Sequence, residues 1–230
     1  SAACSAPTPL ILVHGLAASG RYMLPTARRL ANDFPVLVPD LPGYGRSEKP
    51  RRALDVDALA QRLLAWMSAR GVLRASLLGN SFGCQVAAAI AEREPARIER
   101  LVLNGPTVDS GRRTTFQQLL SFVADVPREP LGLVLTQLRA YARTGPWFSL
   151  QGYRHMMADR IERRLPRIRA PTLLVRGERD PVAPQRWVDE IASLLPRGCV
   201  AVIPGSAHGT VYNAAQPLAR LVRDFLLEQA

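Results

Sequence analysis

Six short apolar runs, at residues 10–13, 35–38, 75–78, 100–104, 172–175 and 199–203, alternate with longer stretches of helical character. These runs are aliphatic at successive positions, so a strand built from one has no side suited to water. Strands that bury both faces and alternate with helices belong to a parallel sheet covered on each side. The intervening stretches fit that scheme. Residues 22–32 have helical spacing, and residues 56–70 place Leu59, Leu63, Leu64, Trp66 and Met67 on one helical side before Gly71. An alanine-rich helix is predicted from Cys84 to Ala91, stopped near Pro95.

The alternation is broken once, over residues 107–166. Helical patterns recur there at 115–126 and 131–141, then Trp147-Phe148 and a basic helix over 153–164, with no strand among them. The organisation predicted is an α/β core formed by residues 1–106 and 167–230, with 107–166 inserted as a helical lid over the carboxyl ends of the strands, where ligands bind in such sheets. Trp147, Phe148, Met156 and Met157 supply more bulk than a merely structural subdomain needs.

A chain of 230 residues that is 47% hydrophobic supports one sizeable core. No apolar run approaches the ~20 residues of a membrane span, and residues 10–13 are too few for a signal-peptide core, so the expectation is a cytoplasmic protein with no membrane span. The formal charge of +11 comes almost wholly from arginine, Lys49 being the sole lysine, in scattered pairs such as Arg28-Arg29 and Arg51-Arg52. None extends into a basic tract interleaved with aromatics, which argues for a solvated surface and against nucleic acid, while leaving attraction to anionic substrates or surfaces at low salt. Cys4, Cys84 and Cys199 show neither metal-type spacing nor a disulfide framework.

Gly79-Asn80-Ser81-Phe82-Gly83 lies between the third run and the alanine-rich helix. The G-x-S-x-G pattern at a strand-to-helix turn exposes a serine hydroxyl on a strained backbone, and side chains two residues to either side would collide. A serine nucleophile needs a base. His208 follows the last strand, at the same end of the sheet, whereas His14 ends the first strand and His155 lies in the insertion. The base needs an acid, for which Asp180, directly after the fifth run and before Pro181, is favoured over Glu178 and Asp109. Two main-chain donors would hold the oxyanion, the Phe82 N–H at the helix start and the Leu16 N–H after His14-Gly15. His14, Gly15, Asn80, Trp147 and Phe148 are the expected lining of the substrate pocket.

His14-Gly15, the run Asp40-Leu41-Pro42-Gly43-Tyr44-Gly45-Arg46-Ser47, the Ser81 turn, Gly177 to Asp180, and His208 occur in the order that identifies the α/β-hydrolase superfamily, which the chain resembles along nearly its whole length. The resemblance implies a mainly parallel sheet of about six strands flanked by helices, a Ser81, Asp180, His208 triad and no cofactor or metal. The family's first antiparallel hairpin is missing, since residues 10–13 match its third strand. Serine in place of aspartate argues against the epoxide hydrolase and dehalogenase branches. A serine hydrolase of a small to medium carboxylic ester or thioester is the leading expectation. Carbon–carbon hydrolysis of diketo acids is the alternative, because Asn80-Ser81 resembles the Gly-Asn-Ser-Met-Gly turn of those enzymes. They carry a tryptophan after the histidine where this chain has Gly209-Thr210, and they would need an anion-binding arginine such as Arg139, Arg143 or Arg154. A non-catalytic small-molecule binder on the same fold is the third reading. Oligomeric state is not specified by the sequence.

Overall fold

The predicted runs form β1 (Leu10–Val13), β2 (Val36–Leu37), β3 (Ala75–Asn80), β4 (Ile98–Asn104), β5 (Thr172–Gly177) and β6 (Gly198–Ile203) of one sheet, in a computed structural model that describes residues 8–228. Cys4 lies outside the described residues. The strand order is β2-β1-β3-β4-β5-β6 and every pair is parallel. Chain direction across the sheet reverses between β1 and β3, which leaves a crevice at their carboxyl ends. Registers of Val13 with Gly79, Asn80 with Asn104, Asn104 with Val175 and Gly177 with Ile203 bring those ends to a common level.

Both faces are covered, as the unbroken apolar runs require. Ile11, Val13, Leu77, Leu101, Leu103 and Leu174 pack into one core with α2 (Val56–Ala69), α3 (Phe82–Arg93) and α7 (Gln185–Leu194). Leu10, Leu12, Leu78, Val102, Leu173 and Val175 pack into the other with α1 (Leu24–Leu30), the short α8 (Thr210–Asn213) and α9 (Ala215–Leu227). β6 departs from the expectation, since Val200 and Val202 are partly exposed. It is an edge strand, with no neighbour on its far side among the described residues. Neither α7 nor α9 is among the predicted helices, although each places its buried apolar residues at helical spacing, Trp187, Val188 and Ile191 in one and Leu218, Val222 and Phe225 in the other.

Local signals account for the helix ends. Asp55 caps α2, its carboxylate accepting the Ala58 N–H at 2.8 Å. The far end closes through Val72 N–H to Met67 and Gly71 N–H to Ser68, a Schellman pattern that needs the left-handed φ of +70° at Gly71. In α3 all residues from Phe82 to Ala91 are buried, and the alanines let the helix lie between the sheet and α2.

Residues 107–166 are helical and without a strand, in α4 (Thr115–Asp125), α5 (Leu131–Thr144) and α6 (Pro146–Ala158). Thr114 and Gln117 form a capping box on α4. The basic helix predicted at 153–164 is corrected. Trp147 and Phe148 begin the same helix, launched by Pro146 at its first position, and it stops at Ala158. The segment beyond is held instead by Arg164, which joins Asp159, Asp57 and Glu92. Gln85 Nε2 donates to the Met156 carbonyl at 2.9 Å and Gln151 accepts the Ala53 N–H at 2.9 Å, fastening α6 to the core. Among the described residues, no helix is long and apolar enough to cross a membrane.

A Cβ on Gly83 would lie 2.1 Å from the Val13 carbonyl oxygen, whereas one on Gly71 would meet nothing within 4 Å. Gly71→Ala is therefore expected to cost about 1 kcal/mol, from backbone conformation alone. Gly83→Ala must part α3 from β1, at roughly 3 kcal/mol or more. Urea unfolding of the two variants checks the order, and equal losses would refute the packing argument.

Candidate active site

Ser81 occupies the one-residue turn between β3 and α3 with φ 56° and ψ −123°, a conformation that costs a non-glycine residue ~1–3 kcal/mol. Its N–H donates to the Asn104 carbonyl at 3.0 Å, which ties the turn to the end of β4. The flanking glycines have the steric role read from the sequence. A Cβ on Gly79 would meet the Gly83 oxygen at 2.5 Å, and one on Gly83 would enter the end of β1. Gly15 must also stay small, since its Cβ would lie 3.2 Å from that of Ser81. The loop after β1 is thus held against the serine. Neither the Leu16 nor the Phe82 N–H donates to an acceptor among the described residues.

Asp180 and His208 meet at the ends of β5 and β6. A Cβ on Gly177 would strike the Ala207 and Ser206 oxygens at 2.2 and 2.4 Å, so its absence lets the histidine loop cross the end of β5. His208 Nδ1 lies 2.8 Å from Asp180 Oδ2, while Asp180 Oδ1 accepts the Val182 and Ala183 N–H groups at 2.8 and 3.0 Å. The pair rests on Gly105, where a Cβ would come within 3.0 Å of the ring. Gly105 follows the Asn104 that holds Ser81, so serine and imidazole converge on one strand end. His208 Nε2 is buried without a hydrogen-bond partner among the described residues. No hydrogen bond joins it to Ser81.

Of the other acids weighed for that position, Glu178 accepts the Gly205 N–H at 2.7 Å and Asp109 pairs with Arg186. Neither contacts His208. Two carboxylates that sequence reasoning did not single out do reach its loop from the helical insertion. Asp125 accepts the His208 N–H at 3.1 Å, and Glu129 accepts the Gly209 N–H at 2.6 Å. Phe122 adds an edge-on contact to the imidazole, with centroids 6.2 Å apart. Nothing local could have revealed these partners, which lie about 80 residues from the histidine.

Burial works to lower the His208 pKa, but the Asp180 charge and hydrogen bond, with the charges of Asp125 and Glu129, outweigh it and raise the value to about 9. Burial would push the Asp180 carboxyl up, and His208 with the two N–H donors holds it below the usual range. Asp125 and Glu129 are pushed up by burial, and each also feels a neighbouring carboxylate.

The expected pocket residues separate into different environments. His14 is buried, with Nδ1 2.8 Å from the Gly15 carbonyl and Nε2 accepting the Leu41 N–H at 2.9 Å. Burial lowers its pKa, and the neutral ring braces two loops. Asn80 is turned away from the turn's open side, receiving the Tyr22 hydroxyl and donating to the Asn104 carbonyl at 3.1 Å. Tyr22 in turn accepts the Gly15 N–H at 3.0 Å, and Thr210 donates to the Asn104 side chain at 2.8 Å. This buried chain supports the serine turn from beneath. Phe148 is buried against Tyr44 and over Gly43, whereas Trp147 is 64% exposed. Arg139, Arg143 and Arg154 are exposed as well. Above the β1 loop, α6 passes so close that a Cβ on Gly152 would lie 2.8 Å from the Leu16 side chain.

Cys84 is buried, with Sγ 3.2 Å from the Gly79 carbonyl, and burial pushes its thiol up, as suits a small core residue. Clefts of about 260 Å³ near Arg74, Arg100 and Arg197 and about 390 Å³ beside β2 both lie away from Ser81. Among the described residues no three His, Cys, Asp or Glu side chains are grouped to hold a metal.

The chain that carries this turn and the His–Asp pair is similar to known proteins along most of its length. Residues 10–224 match the alpha/beta hydrolase family, to which the chain belongs. It is 29% identical to a 2-hydroxymuconate semialdehyde hydrolase of Pseudomonas sp. (strain CF600), over 96% of this chain and 87% of that protein. It is 26% identical to the putative carbamate hydrolase RutD of Stutzerimonas stutzeri (strain A1501), over 97% and 93%. Among solved structures, a membrane phospholipase A described as a bacterial virulence factor superposes with a TM-score of 0.81 at 28% identity, covering 96% of this chain and 78% of that one. The relatives are hydrolases, which supports a hydrolase here.

The electrostatics around His208 can be measured directly. Its ring should titrate near pH 9 by NMR, and Asp125→Asn, which keeps an oxygen for the His208 N–H but removes a negative charge, should move the titration down toward the ordinary histidine value. An unmoved titration overturns the assignment. Because the folded value exceeds 6.5, this pairing stabilises the fold fully below pH 6.5, and the contribution is lost as pH rises through about 9.

Proposed function

We propose that the protein is a serine hydrolase that cleaves a small to medium carboxylic ester or thioester through an acyl-enzyme on Ser81. The observation that carries this reading is the strained Ser81 turn beside a His208–Asp180 pair whose Nε2 is buried and unpartnered. His208 Nε2 takes the Ser81 hydroxyl proton as Oγ bonds to the substrate carbonyl carbon. The resulting oxyanion is held by the Leu16 and Phe82 N–H groups. Collapse expels the leaving group, which takes the proton from His208, and the acyl-enzyme is then opened by a water that gives its proton to the same nitrogen, which passes it to Ser81 Oγ as the bond to the acyl carbon breaks. Asp180 orients the ring and stabilises the imidazolium. The insertion over residues 107–166 acts as a lid, with Leu16, Phe82 and Phe148 shaping the acyl side. The resemblance to a membrane phospholipase A supports ester chemistry.

Carbon–carbon hydrolysis by the same three side chains is the second reading, supported by 29% identity to a 2-hydroxymuconate semialdehyde hydrolase. It calls for an anion-binding arginine, and Arg139, Arg143 and Arg154 of the insertion are all exposed. A third reading keeps the pocket as a binder without turnover.

Nitrophenyl esters of increasing acyl length, assayed beside a diketo acid, separate the three. Ester turnover is expected. Turnover of the diketo acid alone selects the second reading, and affinity without product selects the third. Ser81→Ala should lower ester turnover by about 10⁴-fold or more and abolish fluorophosphonate labelling. Labelling that survives the substitution would sink the assignment. Since the base must be neutral, kcat/KM should climb with pH up to about 9 and level off above it.

A further inference from the structure

Helix α4 turns most of its large apolar side chains outward, Phe122 alone among them packing on the core. Its buried positions are Gln118, Ser121 and Asp125, while Phe116, Leu119, Leu120 and Val123, at helical spacing, face water. α5 repeats the pattern with an exposed stripe of Leu131, Leu135, Leu138 and Tyr141, and α6 exposes Trp147 and Leu150. Eleven of the fifteen large apolar side chains exposed among the described residues lie within the insertion, at 41–74% exposure. A concentration of that kind marks an interaction surface, since scattered exposed leucines would be spread over the molecule.

The charges on the insertion say what meets it. Residues 107–166 hold nine arginines and five acids. Every acid is committed inward, Asp109 to Arg186, Asp159 to Arg164, Glu162 to Arg113, and Asp125 and Glu129 to the His208 loop. Arg128, Arg139, Arg143 and Arg154 are exposed, and none is ion-paired among the described residues. Arg139 and Arg143 border the α5 stripe, and Arg154 follows Leu150 by one turn. The outward face is therefore apolar with a positive rim and no free carboxylate. A second copy of the chain would set guanidinium groups against guanidinium groups.

We propose that this face docks on an anionic lipid bilayer, α4 and α5 lying in the plane of the interface with their apolar stripes in the acyl boundary and the arginines among the phosphates. A helix with this division of faces binds in that manner without spanning. The docking surface is separate from the reaction proposed above and stands without it.

Co-sedimentation of the full chain with vesicles tests it. Binding is expected to vesicles of equal parts phosphatidylcholine and phosphatidylglycerol, to be weak on phosphatidylcholine alone, and to fall as salt rises. Leu135→Ser with Leu138→Ser should reduce binding by about tenfold or more, as should Arg139→Glu with Arg143→Glu, at roughly fivefold per arginine contact. Arg51→Glu with Arg52→Glu changes the net charge equally and should leave binding within about twofold. All these positions are exposed, and unchanged thermal melting confirms that the variants fold. Equal loss in the Arg51/Arg52 variant, or no loss in the leucine variant, would reduce the effect to adsorption of a basic protein and overturn the proposal. So would absent vesicle binding, or a dimer in sedimentation equilibrium that the leucine substitutions dissociate.

Discussion

The close approach of α3 to the end of β1, where Gly83 stands against the Val13 and His14 carbonyl oxygens, is the contact on which the site depends. With that approach the loop after β1 runs directly over the serine turn, so that Gly15 touches Ser81 and the Leu16 N–H is left free beside it. Without it the helix would stand off by the width of a methyl group, and the strained serine would lose the surroundings that hold φ at 56°. The buried chain from Tyr22 through Asn80 to Asn104 and Thr210 fixes the turn from below. Strain at Ser81 is thus maintained by tight packing on one side and satisfied hydrogen bonds on the other.

Much of this architecture was legible because a parallel sheet leaves a strong imprint. Strands buried on both faces read as unbroken apolar runs, and all six fall where the runs are. Asp180 and His208 could be paired in advance because a parallel sheet gathers every following loop at one end. What stayed hidden depends on contacts distant in sequence. The Asp125 and Glu129 carboxylates look like ordinary helix-end charges until the histidine loop is packed against them. Asn80 reads as a pocket residue beside a serine, yet the pleat turns it toward Tyr22, and Trp147 reads as pocket lining although α6 presents its neighbour Phe148 inward. The helix over residues 153–164 failed as a boundary because ion pairs made by Arg164 stabilise a non-helical path that composition does not disclose.

Three carboxylates around one imidazole set the electrical character of the site. Asp180 alone would favour the imidazolium by direct pairing, and the insertion adds two more charges through the backbone of the same loop. Those added carboxylates are held at a cost, since burial pushes both upward in pKa, helped at Asp125 by the Asp180 charge and at Glu129 by the Asp125 charge. Their compensation is the two N–H donors at His208 and Gly209, which would otherwise lie partly buried without partners.

That exchange also explains the orientation of α4. An amphipathic helix ordinarily turns its apolar side to the core, because each Å² so buried contributes about 25 cal/mol. Here the inward side carries Phe122 among polar groups that are engaged, Gln118 with the Arg112 carbonyl at 2.8 Å and Asp125 with the histidine loop. Reversing the helix to bury Phe116, Leu119 and Val123 would withdraw Asp125 and bring apolar side chains against the backbone donor of His208. The helix therefore faces as it does because its polar side holds the histidine loop, and the apolar surface left outside is the consequence. One element thereby links the outer face of the insertion to the imidazole beneath it, so a force applied to α4 from outside acts on the His208 loop through the Asp125 hydrogen bond.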